Sequence, residues 1–110
     1  MSIRVAVLDD NERFRQQLVA RLQYFPSVEV VMAAASADQF LAQLTARAAL
    51  PDVALLDIEL PGASGVDLAA QLTAEHPNIG VLMFTVFEAE HTVLAAIQAG
   101  ALHVQGTING

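Results

Sequence analysis

Asp9, Asp10, Asp57 and Thr85 are the side chains whose types and settings could do chemistry together, because each stands at the end of a short aliphatic run. The runs are Ile3 to Leu8, Val53 to Leu56 and Val81 to Phe84. The stretch DVALLDIELPG, residues 52 to 62, ends its run on Asp57 before turning through Pro61-Gly62. Three carboxylates in one crevice raise one another's pKa and destabilise the site unless a cation offsets the repulsion. Oxygen-only donors, with no cysteine in the chain and no clustered histidine, point to Mg2+ with retained waters rather than Zn2+; Mn2+ can substitute. A metal-bound Asp57 at an open strand end can attack phosphorus, with the Thr85 hydroxyl donating to a phosphoryl oxygen. The product is an acyl phosphate on Asp57.

An acidic pair alone is a weak signal, since Asp at a loop or helix start serves capping and the helix dipole equally well. The signal comes from the elements that must bring the four residues together. Aliphatic runs recur at Ile3 to Leu8, Val28 to Ala33, Val53 to Leu56, Val81 to Phe84 and, more weakly, Ala101 to Val104. Runs apolar on both faces suit buried parallel strands. Between them lie segments of helical spacing. The first carries Phe14, Leu18, Leu22 and Phe25 before Pro26; the second opens on Ser36 with Gln39 as a capping box and turns Phe40, Leu41 and Leu44 inward. A third opens at Ser64 with Asp67 in the same relation and runs through Leu68 and Leu72 to Pro77; a fourth carries Val93, Leu94 and Ile97 up to Gly100. Strands alternating with such helices predict an α/β fold, a doubly wound five-stranded parallel sheet with helices on both faces. All carboxyl ends of its strands share one edge, where ligands bind at the reversal of strand order. A chain ending at Gly110 leaves almost no room for a fifth helix.

Composition narrows the classes. At 110 residues and 55% hydrophobic content the chain suits a single domain, residues 1–110, with one core. Its formal net charge of -7, with five basic residues that are all arginine, argues against direct contact with a nucleic-acid backbone. No apolar run approaches the ~20 residues that span a bilayer, so no membrane segment is expected, and the expected compartment is the cytoplasm.

The stretches VAVLDDNERFRQQL, DVALLDIELPGASGVDL and VLMFTVFEAEHTVLAAIQAGA together resemble the response-regulator receiver domain of two-component systems over residues 3 to 101. The latter two are similar particularly to the NarL/LuxR-type subfamily, whose receivers precede a helix-turn-helix DNA-binding domain not present in this chain. The resemblance implies the flavodoxin-like strand order 2-1-3-4-5, with Asp57 as phosphoacceptor. Asp10 would be a direct Mg2+ ligand, Asp9 a ligand acting mostly through water, and the backbone carbonyl of Glu59 a further ligand. Thr85 would be the switch hydroxyl and the Val86 amide a phosphate donor. It further implies a sensor histidine kinase as phosphoryl source and control of a transcriptional output. The only catalysis implied is self-catalysed transfer to Asp57 and slow hydrolysis, rather than enzyme activity.

The sequence departs from the family after Ala101. The family's strand-five lysine has no counterpart, since the chain contains no lysine: an ungapped alignment puts Thr107 there, a two-residue deletion Gln105. The aromatic usual in that strand is also absent, with His103 and Val104 in its neighbourhood. A charge-assisted hydrogen bond lost this way removes roughly 1.5–3 kcal/mol from the phosphorylated state. The departures keep a second reading open, a degenerate, phosphorylation-independent receiver acting as an interaction module. Aliphatic surface left bare by the missing fifth helix predicts a homodimer or higher oligomer.

Rival signals are weaker. His76, His91 and His103 lack metal-ligand spacing, and Met83, Phe84 and Phe87 read as strand four and its loop rather than a cofactor box. Glu59, two residues after Asp57, gives DIEL a slight similarity to the Asp-x-Asp opening of haloacid-dehalogenase-type phosphatases, but that family places its nucleophile after an early strand.

Overall fold

The computed structural model of the chain describes residues 2–57, 65–84 and 106–108. Eight elements follow in order: β1 (Ile3–Leu8), α1 (Glu12–Leu22), β2 (Val28–Ala34), α2 (Ala37–Ala46), β3 (Val53–Asp57), α3 (Gly65–Glu75), β4 (Gly80–Phe84) and β5 (Gly106–Ile108). The strands form one five-stranded sheet of order β2-β1-β3-β4-β5, and every neighbouring pair is parallel. This is the expected doubly wound architecture.

The two central strands are closed to solvent on both faces, as a parallel interior requires: Val5 to Leu8 and Val53 to Leu56 are each 0% exposed. Their side chains alternate between two layers. Val5, Val7, Val53, Leu55 and Leu82 meet Leu18 and Leu22 of α1, while Ala6, Leu8, Ala54, Leu56 and Val81 meet Phe40 and Leu44 of α2 and Leu68 and Leu72 of α3. Phe14 and Phe25 pack against the first layer, half-buried, so the predicted α1 stripe is intact although Phe25 lies beyond the helix end.

β2 obeys this alternation only because it carries an extra residue. Val5 pairs with Val30 but Ala6 pairs with Met32, which leaves Val31 unpaired as a bulge. With a side-chain period of two, one inserted residue exchanges the faces. Val28 and Val30 therefore face the α1 layer, whereas Met32 and Ala34 face the α2/α3 layer. β2 is also the edge of the sheet. Two carbonyls in its second half are taken by its own chain: Arg47 Nη1 donates to Val31 O at 3.0 Å and Gln43 Nε2 to Ala33 O at 3.4 Å.

The helix starts follow local chemistry. Ser36 caps α2, its side chain accepting from Gln39 N at 3.1 Å. The return half of the expected capping box is displaced by one residue: Gln39 Oε1 accepts from Ala35 N at 2.9 Å instead of from the amide of Ser36. Asp67 stands in the first turn of α3 as predicted, with the expected cap Ser64 outside the described residues. At the amino edge Asp52 stitches three strands. Its amide donates to Arg4 O, its carboxylate accepts from Arg4 N, and its carbonyl accepts from Gly80 N.

The fifth strand is a correction. The weak apolar run Ala101 to Val104 lies outside the described residues, and the strand that pairs with β4 is Gly106–Ile108. The β-branched pair Thr107-Ile108 carries higher strand propensity than the hydropathy of Ala101-Leu102-His103 conveys. The predicted fourth helix around Val93, Leu94 and Ile97 lies outside the described residues.

Candidate functional site

β1 and β3 run side by side with Leu8 paired to Leu56, so the residues that follow, Asp9 and Asp57, emerge together at the carboxyl edge. Asp9 is held there through its own backbone, its amide donating to Ala34 O at 3.2 Å. Its Oδ1 accepts from Asn11 N at 2.9 Å, and its carbonyl accepts from Arg15 Nη1 at 2.8 Å. Asn11 in turn is the N-cap of α1, its Oδ1 accepting from Phe14 N at 2.9 Å. The turn that carries both acids is therefore pinned at the strand and at the helix, and Asp10 projects from it into solvent.

The carboxylates of Asp9, Asp10 and Asp57 lie with oxygens within 4.8 Å of one another. Their environments differ: Asp9 is 3% exposed, Asp57 is half-buried and Asp10 is exposed. Burial pushes the Asp9 carboxyl above its ordinary value, and the negative charge of Asp10 adds to this. The hydrogen bonds from the Asn11 amide and with Asp57, together with the Arg15 guanidinium, pull it back in part. The group is thus a desolvated acid beside like charges, the condition that a divalent cation relieves. The donor set is all oxygen and suits a hard ion that keeps part of its water shell. Asp9 and Asp10 enter the cluster from the turn before α1, and Asp57, exposed in part, enters it from the end of β3.

Asp57 is level with Phe84 on β4, so Thr85 is the next residue along the chain from that pair. Thr85, Val86 and Glu59 themselves lie outside the described residues. On β5, Thr107 pairs with Met83, one position short of the Asp57–Phe84 level, and Ile108 takes that level. The ungapped placement of Thr107 thus falls within one residue of the register, and neither residue there carries charge. Two residues of the site were missed in the sequence, Asn11 and Arg15. Asn11 could have been found as an N-cap three residues before Phe14. His76 sits at the end of α3, its amide donating to Leu72 O, and takes no part in the acidic cluster.

This sheet order with an acidic cluster at its carboxyl edge defines a class, and the sequence matches the response regulator receiver domain family over residues 5–104. The chain belongs to that family. It is 36% identical over 99 residues to the DNA-binding transcriptional activator DevR/DosR of Mycobacterium tuberculosis, covering 90% of this chain and 45% of the relative. It is 34% identical over 103 residues to a protein-glutamate methylesterase/protein-glutamine glutaminase of Rhizobium johnstonii, covering 93% of this chain and 28% of the relative. Among solved structures, the signal receiver domain of the response regulator NarL from Mycobacterium tuberculosis superposes with a TM-score of 0.73 at 33% identity, over 98% of this chain and 83% of that one. The chain therefore spans less than half the length of the curated relatives it matches here. Among the described residues no helix is long and apolar enough to cross a membrane.

Proposed function

We propose that this domain is the phosphoacceptor receiver of a two-component response regulator, working in the cytoplasm and taking a phosphoryl group from the phosphohistidine of a sensor histidine kinase. The observation that carries the reading is the convergence of Asp9, Asp10 and Asp57, oxygens within 4.8 Å, in a chain of the receiver family. An oxygen of Asp57 forms the new P–O bond as the P–N bond to the kinase imidazole breaks, and the imidazole leaves with the electron pair. Mg2+, or Mn2+ in its place, would be held by Asp9, Asp10, Asp57 and the Glu59 carbonyl, and when bound supplies charge neutralisation for the incoming phosphoryl oxygens. Asp9 and Asp10 orient that charge from a turn fixed by Asn11 and Arg15. The Thr85 hydroxyl and the Val86 amide donate to the phosphoryl oxygens. The two added negative charges bias the surface beyond β4, which sets self-association into a homodimer or larger assembly. The likeness to DevR/DosR supports a transcriptional output over the enzymatic output of the methylesterase relative.

A second reading, a phosphorylation-independent interaction module, draws on one observation: the chain has no lysine, and the β5 positions near the Asp57 level are Thr107 and Ile108. One experiment decides between the two. The protein is incubated with acetyl phosphate and Mg2+, its intact mass is read for an addition of ~80 Da, and size-exclusion runs alongside. Addition that is lost in Asp57→Ala supports the phosphoacceptor. No addition in a folded protein that still binds a divalent ion supports the interaction module.

A further inference from the structure

We propose that Arg15 is a built-in counter-cation of the acidic cluster, a positioning residue that opposes the three carboxylates when no divalent ion is bound and so sets how tightly the site takes one. The inference rests on reading Asp9, Asp10 and Asp57 as a cation site.

All five basic residues are arginines within positions 4 to 47, while residues 48 to 110 hold seven acids, Asp52, Asp57, Glu59, Asp67, Glu75, Glu88 and Glu90, and no arginine or lysine. Positive charge for the crevice must therefore come from the β1-to-α2 half. There, Arg4 is engaged with Asp52 at the opposite edge of the sheet, and Arg47 with Val31 O and Ala49 O. Arg13 is exposed, and Arg21 stands in the last turn of α1, away from the turn that carries the acids. Arg15 is the arginine that reaches that turn. It is half-buried in the first half of α1, and its Nη1 lies 2.8 Å from the Asp9 carbonyl.

This bond fixes the guanidinium beside the residue whose carboxylate is the most buried of the three, with only one of its five N–H donors spent on it. The charge also opposes the effect of Asp10 on Asp9. A fixed cation near a divalent site has a definite sign: it stabilises the metal-free cluster and repels the incoming ion. A clamp that served only to shape the turn would act in the opposite sense, since loosening the turn weakens ion binding.

The test uses Mn2+ itself as probe, with free ion counted by electron paramagnetic resonance, on the whole chain and its Arg15→Gln and Arg15→Lys variants. At low ionic strength Arg15→Gln is expected to bind Mn2+ roughly three- to tenfold more tightly than wild type, Arg15→Lys about as wild type, and the difference to shrink at 0.5 M salt. Metal-free Arg15→Gln melts lower than wild type, and the gap closes with saturating Mn2+. Unchanged or weaker Mn2+ binding in Arg15→Gln, or equal tightening in Arg15→Lys, overturns the proposal while leaving the cation site standing. Wild type that binds no Mn2+ removes the site and the proposal with it. If Arg15→Gln is unfolded without metal, folding on Mn2+ addition supports the counter-cation role, and persistent unfolding overturns it.

Discussion

Replacing Asp9 by asparagine should make the metal-free protein more stable. Asp9 is 3% exposed, and its carboxylate shares a 4.8 Å neighbourhood with those of Asp10 and Asp57. Two unit charges at that separation repel by about 1 kcal/mol at the dielectric of water and about 3 kcal/mol at an effective value of ~20. Asp10 is exposed and counts near the lower figure, and the Arg15 guanidinium offsets part of the total repulsion. The carboxamide oxygen introduced by Asp9→Asn can still accept from the Asn11 amide, as the Asp9 carboxylate does. A net gain of about 1–2 kcal/mol follows, or a rise in Tm on the order of 5–10 °C for a domain of this size. The pH dependence has a fixed sign. The Asp9 pKa is raised in the folded state, so its cost is absent below the ordinary carboxyl range and accrues as pH rises through the folded value. The advantage of Asp9→Asn is therefore larger at pH 7 than at pH 4. Added Mg2+ reverses the order, because wild type gains about 2.7 kcal/mol at a hundredfold excess over its Kd and the variant gains less. Thermal melts at both pH values, with and without Mg2+, read all of this. A variant that melts below wild type at pH 7 without metal, or a difference equal at both pH values, would refute the electrostatic account and leave Asp9 as a hydrogen-bonding residue.

Three further outcomes concern the scaffold. Phe40→Ala, at a side chain 0% exposed between α2 and the sheet, should cost about 3–5 kcal/mol in urea unfolding. Ser36→Ala removes the acceptor for Gln39 N and should cost about 1 kcal/mol, with Ser36→Gly recovering most of it. Deletion of Val31 should cost less than Phe40→Ala and leave urea unfolding cooperative, because Met32 then follows Val30 directly, still pairs with Ala6, and keeps its place with Ala34 in the α2/α3 layer; a chain that loses cooperative unfolding would refute the bulge assignment.

The scaffold was legible where burial is two-sided. Val5 to Leu8 and Val53 to Leu56 are apolar at every position because both faces are covered, so strand and parallel sheet could be read together. The three acids were legible because each interrupts such a run at its end. The bulge was not: VEVVMAA has no glycine and its one polar residue, Glu29, stands two positions before Val31, so only the pairing with β1 reveals it. Arg15 was hidden for a related reason, since six residues separate it from Asp9 and only the tightness of the Asn11-capped turn brings its guanidinium back. The last strand was read too early because hydropathy outweighed β-branching at Thr107-Ile108.

The side-chain cover on β2 bears on how copies of this domain can meet. A parallel sheet that ends in an open row of carbonyls invites the same strand of another molecule, and the two sheets then fuse into one. Here an arriving strand would have to evict the Arg47 guanidinium from Val31 and the Gln43 amide from Ala33, stranding a charge over an apolar seam. Self-recognition is thereby steered away from the backbone at this end and towards side-chain surfaces. A side-chain contact can be tuned by one charge, whereas a fused sheet does not readily come apart. A receiver domain that self-associates reversibly, as proposed above, has reason to keep this edge shut.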